Sequence, residues 1–180
     1  MRPFTIGIGG AHSKVGKTTV ACQILKRLSG LGAIKYTRTS FYTSIVDTPE
    51  ILRQKDKDTG RLFNAGAQEV LWVQSPPEDL KDVLQIAIDR LSHLKGIIIE
   101  GNSAIKVLEP DIVVFVSTNQ EIKRGAEKIL EMADTVIYDK ALPEGIPKTV
   151  KRFRLNNKDE YVDFIIGLVS KDKKRKTSKE

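Results

Sequence analysis

Near its start the chain sets glycines, a lysine and two threonines in an order suited to holding phosphate: Gly9-Gly10-Ala11-His12-Ser13-Lys14-Val15-Gly16-Lys17-Thr18-Thr19. Small residues let backbone N–H groups close around an anion, and the start of a helix adds fixed partial positive charge. Lys17 is spaced to reach the β- and γ-phosphates of a nucleoside triphosphate and to act on them, while the Thr18 hydroxyl is spaced to reach Mg2+. The expected nucleotide-binding segment is therefore Gly10, Ala11, His12, Ser13, Lys14, Val15, Gly16, Lys17, Thr18 and Thr19. The strict Walker A pattern begins with glycine; Ala11 stands at that position, and Gly9 and Gly10 just before it keep the backbone free. His12 reads either as a contact to phosphate or as a solvated loop histidine. Lys14 reads either as a lysine leaning over the phosphates or as a surface lysine.

Such a loop needs a partner for its metal ion. Glu100 ends the run Ile97-Ile98-Ile99, which reads as a buried strand, and Gly101 follows it. Ligands of open parallel sheets bind beyond the carboxyl ends of the strands, so Glu100 is expected near the loop as an Mg2+ ligand. Asp58 opens a short helix and reads equally as a second metal ligand or as a helix N-cap. Lys35 ends the second strand on the same edge and is the candidate contact to phosphate or to an anionic substrate. Asp47 reads as a solvated loop acid, with a metal role only in a closed state of its loop.

These residues must be carried by strands and helices in alternation. Residues 4–8 read as a strand and 20–28 as a helix, with Val20, Ala21, Ile24, Leu25 and Leu28 on one face. Strands follow at 33–36, 70–73, 97–100, 112–116 and 135–138, with helices at 58–65, about 77–91, 122–133 and 161–169. The polar alternation of 149–155 suggests an edge strand. Residues 37–57 read as a mobile loop with a short helix near 49–53, long enough to suggest function. The pattern predicts an α/β fold, with a mostly parallel central sheet flanked by helices in three layers.

A chain of 180 residues fits one domain, placed at 1–170, followed by a basic tail at 171–180. The net charge is +7, and the last ten residues hold six Lys or Arg against Asp172 and Glu180, a net of +4. That tail reads as a disordered, solubilising end; no aromatic residue interleaves with its charges, so nucleic acid is not the expected partner. No apolar run reaches the length of a membrane span, and the N-terminus enters a strand directly instead of presenting a secretion signal. Cys22 is the single cysteine, which excludes an intrachain disulfide and suits the cytoplasm.

The loop, Lys35 and the segment Asp58-Thr59-Gly60-Arg61-Leu62-Phe63-Asn64-Ala65-Gly66-Ala67 together resemble the molybdopterin-guanine dinucleotide biosynthesis protein B family, as does Glu100-Gly101. In that family an aspartate is followed by arginine three residues on and by Ala-Gly-Ala seven to nine residues on. The resemblance covers about residues 4–117. It implies a P-loop NTPase fold, Mg2+ held by Thr18, Asp58 and Glu100, and GTP as the nucleotide. It also implies slow hydrolysis and a molybdopterin nucleotidyltransferase as partner. The loop is similar as well to that of dethiobiotin synthetase and the cobyrinate amidase-synthase group, which share the fold and the metal assignment.

Three departures matter. Tyr36 to Thr39 stand where the family usually has histidines. His12 replaces an early loop lysine that some members of the class pass across a dimer, so a homodimer is left open. Asp139-Lys140-Ala141-Leu142 keeps only the lysine of a guanine-reading Asn-Lys-x-Asp, so the choice of GTP over ATP rests on the resemblance. Two other functions stay in view: an ATP-dependent small-molecule ligase similar to dethiobiotin synthetase, against which Asn102-Ser103-Ala104 stands in place of a glycine-rich segment, and a nucleotide-switched binding module with negligible turnover.

Overall fold

The computed structural model describes residues 3–54 and 57–177. Strand β1 (Phe4–Gly10) leads through the glycine-containing loop into helix α1 (Lys17–Arg27), and β2 (Leu31–Arg38) follows. Next come β3 (Ser44–Val46), α2 (Pro49–Leu52), α3 (Asp58–Asn64), β4 (Val70–Ser75) and α4 (Leu80–Arg90). The second half holds β5 (Gly96–Glu100), α5 (Asn102–Leu108), β6 (Ile112–Ser117), α6 (Glu127–Glu131), β7 (Thr135–Tyr138), β8 (Lys151–Arg154) and α7 (Lys158–Thr177).

The strands form one sheet in the order β3-β4-β2-β5-β1-β6-β7-β8. Every pairing is parallel except β3 against β4. Period-two alternation sorts the apolar residues between two faces. Ile98, Ile6 and Ile8 join the cluster that α1 and α7 cover, through Ile24, Leu25, Tyr161 and Ile165. Ile97 and Ile99 face the cluster that α4 covers, through Val83, Leu84 and Ala87. A strand buried on both sides reads as a continuous apolar run, which is why three isoleucines in a row mark β5.

Strand β1 lies between β5 and β6, and α1 carries the chain from β1 past β5 to β2. The order therefore reverses beside β1, and the carboxyl ends of β1 and β5 open on a crevice there.

Several local expectations change. Residues 37 and 38 continue β2, and Ser44–Val46 adds an antiparallel strand inside the expected loop. Three residues give too short an alternation to read, but Ile45 opposite Val73 and Val46 opposite Trp72 give the strand a partner. Helix α5 is an element the sequence reading did not include; it buries Ala104 and Ile105. The helix expected at 122–133 shortens to Glu127–Glu131, since the Lys123 N–H turns to the Ala11 carbonyl instead of into a helix. Helix α7 runs from Lys158 to Thr177, beyond the expected 161–169, so residues 171–177 of the expected tail lie within it; 178–180 lie outside the described residues.

Candidate functional site

The loop between β1 and α1 is shaped by two constraints. Gly16 caps α1 with φ 101°, a left-handed conformation that glycine adopts without the clash a Cβ would meet. Gly10 lies so close to its neighbours that a Cβ there would meet Val15 Cγ2 at 2.6 Å and the Val116 carbonyl oxygen at 2.8 Å. Lys14 also adopts positive φ, 61°, without being glycine. Ala11 is fully buried; its N–H donates to Val116 and its carbonyl accepts from Lys123 N, both at 2.9 Å. Its methyl group fits the core, so the first position of the motif does not require glycine here.

Asn102 pins the start of the loop. Its side-chain oxygen accepts from Gly10 N at 2.9 Å, and its side-chain nitrogen donates to Gly10 O at 2.8 Å. Val15 is buried and anchors the loop from below. No side chain caps α1, and no acidic residue sits in its first turn. The N–H groups at the helix start are thus left for an anion.

A cleft of about 470 Å3 opens over this helix start, lined by Ser13, Lys14, Gly16, Lys17, Thr18 and Thr19 and, opposite, by Lys35, Tyr36, Asp58, Arg61, Glu100 and Gly101. At its floor the Thr18 hydroxyl donates to Glu100 Oε2 at 2.8 Å. Glu100 is 2% exposed. Lys35 Nζ bridges the two carboxylates, at 2.5 Å from Glu100 Oε1 and 2.8 Å from Asp58 Oδ2. Arg61 closes the rim, donating to Thr19 Oγ1 at 2.9 Å and pairing with Asp58 Oδ1 at 3.4 Å.

The charges follow from these contacts. Burial pulls the Lys35 ammonium down, but the Glu100 and Asp58 carboxylates outweigh it, and its pKa rises above the usual lysine value. Burial pushes the Asp58 carboxyl up; the hydrogen bond and charge of Lys35 outweigh that and hold it below the usual range. For Lys17, burial dominates and lowers the pKa, against the opposing pull of Glu100. The Lys17 ammonium donates to the His12 carbonyl at 3.0 Å. A half-buried ammonium held only by a neutral carbonyl is stabilised by an incoming anion.

Thr18, Asp58 and Glu100, which sequence reasoning nominates for the metal, converge in this one cleft. Their donors are all oxygens, two of them carboxylates, and one carboxylate is buried beside the hydroxyl. That set fits a hard divalent cation such as Mg2+. Asp58 is the first residue of α3 and not its cap; Lys57 holds the cap position. Lys35 lies between the carboxylates and lines the cleft. Asp47 pairs with Arg90 at 3.2 Å, on exposed surface outside the cleft.

Gly10 and Val15 line neither this cleft nor the one on the far side of the loop, which His12 and Ala11 border. The His12 ring lies 3.0 Å from the Ser13 carbonyl and 3.4 Å from Thr118 Oγ1. Cys22 packs against α3, its Sγ 3.5 Å from the Arg61 carbonyl, and burial pushes the thiol pKa up, as for a packing residue. Sequence reasoning missed the roles of Arg61 and Asn102. Arg61 carried a signal, its place three residues after Asp58; Asn102 carried only its place beside Gly101.

No family model matches the chain, and no curated protein does. Among solved structures, it is similar to HypB from Helicobacter pylori in complex with nickel, with a TM-score of 0.56 at 14% identity over 96% of this chain and 88% of that one. It is similar to the "apo" form of LpxK from Aquifex aeolicus in complex with ATP, with a TM-score of 0.54 at 18% identity, covering 86% of this chain but about half, 54%, of LpxK. Bacillus subtilis MobB aligns over 92% of this chain and 97% of its own, at 17% identity and a TM-score of 0.44. The eight-stranded, mostly parallel sheet flanked by helices is a P-loop NTPase fold. No helix among the described residues is long and apolar enough to cross a membrane.

Proposed function

We propose that the chain binds a nucleoside triphosphate together with Mg2+ on residues 10–19, and hydrolyses it slowly. The observation that carries this reading is the buried hydrogen bond from Thr18 to Glu100 at the start of α1, in a cleft that Lys17 also lines. The backbone of residues 11–16 and the first N–H groups of α1 receive phosphate oxygens. Lys17 exchanges its contact to the His12 carbonyl for phosphate, which puts a charge on the transferring group. Thr18, Glu100 and Asp58 would hold Mg2+, which supplies positive charge against the phosphate oxygens.

Lys35 holds the two carboxylates together, and Arg61 fixes Asp58 from the rim. In this reading both carboxylates serve Lys35 and the cation, and the cleft lining holds no further acid and no histidine to take a proton from water. Slow turnover follows in this reading.

The finer assignment is a GTP-binding protein that assists a molybdopterin nucleotidyltransferase. It rests on the spacing of Asp58, Arg61 and Ala65-Gly66-Ala67, with Glu100-Gly101. Asp58 and Arg61 border the same cleft as the loop, which supports reading that segment as part of the site. The test is to titrate GTP and ATP with Mg2+, then to measure turnover with and without the nucleotidyltransferase. GTP preferred over ATP, and a rate that changes with the partner, is the expected result. Equal affinity for both nucleotides and no response to the partner would remove the molybdopterin assignment and leave the NTPase reading in place.

A further inference from the structure

A second cleft, of about 430 Å3, lies on the other side of the same loop. Four separate segments send cations to it: Arg38 from the end of β2, Lys106 from α5, Lys123 and Arg124 from the turn before α6, and Lys17 from the start of α1. No Asp or Glu lines it. Among the described residues Arg38, Lys123 and Arg124 form no ion pair.

The cleft is also held in shape. The Lys123 N–H donates to the Ala11 carbonyl at 2.9 Å, and Lys106 Nζ donates to the Gly125 carbonyl at 2.5 Å. Asn102, which lines the cleft, is fixed on Gly10. Cations scattered over a convex surface are solvated and need no ligand. Cations of one sign brought from four segments into a concave site repel one another and focus an attractive field for an anion.

The chemistry narrows the anion. Two guanidinium groups and three lysines lining one cleft match a group that offers several oxygens and two charges, which a phosphate does better than a carboxylate. The walls are polar, with only Ala11 and Ala126 as apolar residues and no Phe, Tyr or Trp; the one ring, the His12 imidazole, is engaged by the Ser13 carbonyl and Thr118 Oγ1, so the cleft offers a nucleotide base little apolar surface. The volume exceeds that of a bare phosphate and leaves room for an organic group about the size of a sugar.

We propose that this second cleft binds a small phosphomonoester, additional to the nucleotide, with its phosphate held by Arg38, Lys123 and Arg124. Lys17 lines both clefts, so the two ligands meet across one ammonium. That adjacency, though not the second site itself, rests on the nucleotide-binding reading above.

The experiment uses the full chain at physiological salt. Binding of Mg2+ and a non-hydrolysable GTP analogue is measured first by calorimetry. Ribose 5-phosphate and inorganic phosphate are then titrated separately onto the saturated protein. The same titrations are run on the double variant Arg38→Gln, Arg124→Gln. Both side chains are exposed, and retained analogue affinity reports that the variant folds.

Saturable binding of ribose 5-phosphate, tighter than that of inorganic phosphate and weakened at least tenfold in the variant, is the expected result. No saturable binding to the wild-type protein, or unchanged binding in the variant, would overturn the site. Inorganic phosphate binding as tightly as ribose 5-phosphate would overturn the phosphomonoester and make the cleft a site for free phosphate. If the analogue fails to bind while ribose 5-phosphate still binds and the variant still loses it, the nucleotide reading alone has failed.

Discussion

The loop of residues 11–16 has a cleft on each side, and the two differ in how their charges are balanced. In the first, Lys14, Lys17, Lys35 and Arg61 face Asp58 and Glu100, and Lys35 ties both carboxylates together. In the second, Arg38, Lys106, Lys123 and Arg124 join Lys17 with no carboxylate among the lining residues. A site holding both signs suits a ligand that itself brings both, a phosphate chain with its metal ion. A site holding only cations suits an anion alone. Ser13 and Lys17 line both, and Lys17 is the charged residue through which one cleft feels the other.

The comparison breaks most visibly at Lys17. Lys17→Ala is expected to weaken triphosphate binding by about 10- to 100-fold, the effect of removing a charged hydrogen-bond donor. Guanosine affinity should hold, since no phosphate is involved. Calorimetric titration of both ligands checks this, and equal losses for both would place the lysine outside the phosphate site.

Glu100→Gln keeps the shape of the first cleft and removes one of its two negative charges. Nucleotide affinity in the presence of Mg2+ should fall by about tenfold. Affinity in EDTA should hold or rise, because a carboxylate facing phosphate is gone. Asp58→Asn should act in the same direction, and the double variant should lose less than the sum of the two, since both carboxylates share Lys35. Additive losses would mean that the two acids act apart.

Lys14→Gly sharpens the contrast within the first cleft. A left-handed φ costs a non-glycine residue about 1 kcal/mol, and the extra chain entropy of glycine offsets about as much, so the melting temperature should hold within a few degrees. If Lys14 leans over phosphate, the salt dependence of nucleotide binding becomes shallower in the variant. An unchanged salt dependence would make it a surface lysine.

The smallest effect belongs to the second cleft. Arg38→Gln with Arg124→Gln should change affinity for the Mg2+–nucleotide less than about twofold, because neither side chain lines the first cleft. A larger loss by the same titration would merge the two sites into one.

The first cleft was largely legible in the sequence and the second was not, for a physical reason. A strand, a glycine-containing loop and a helix start form one continuous segment, so β1, residues 11–16 and α1 could be read from local pattern alone. Glu100 was legible because a strand buried on both faces leaves a run of three isoleucines, and strand ends locate ligands in parallel sheets. Asp58 carried a resemblance, but its geometry needed the sheet: only the pairing of β2 with β5, Lys35 beside Glu100, brings that lysine between the two acids.

Arg38, Lys106, Lys123 and Arg124 carry no common spacing; they meet only because the end of β2, helix α5 and the turn before α6 lie at one edge of the sheet. Asn102 was read as a departure from a glycine-rich segment, yet its amide fixes the loop by bonding both backbone groups of Gly10. Short elements were lost in the same way. Ser44–Val46 is a strand because β4 offers it a ladder, which no window of three residues can reveal.

The most direct test of the account is a crystal structure of the protein with Mg2+ and a non-hydrolysable GTP analogue. The account predicts phosphates on the backbone of residues 11–18, with Lys17 moved from the His12 carbonyl onto a phosphate oxygen. It predicts the cation in the cleft that Thr18, Asp58 and Glu100 line. A nucleotide bound elsewhere, or a cation touching none of those three residues directly or through one water, would contradict it.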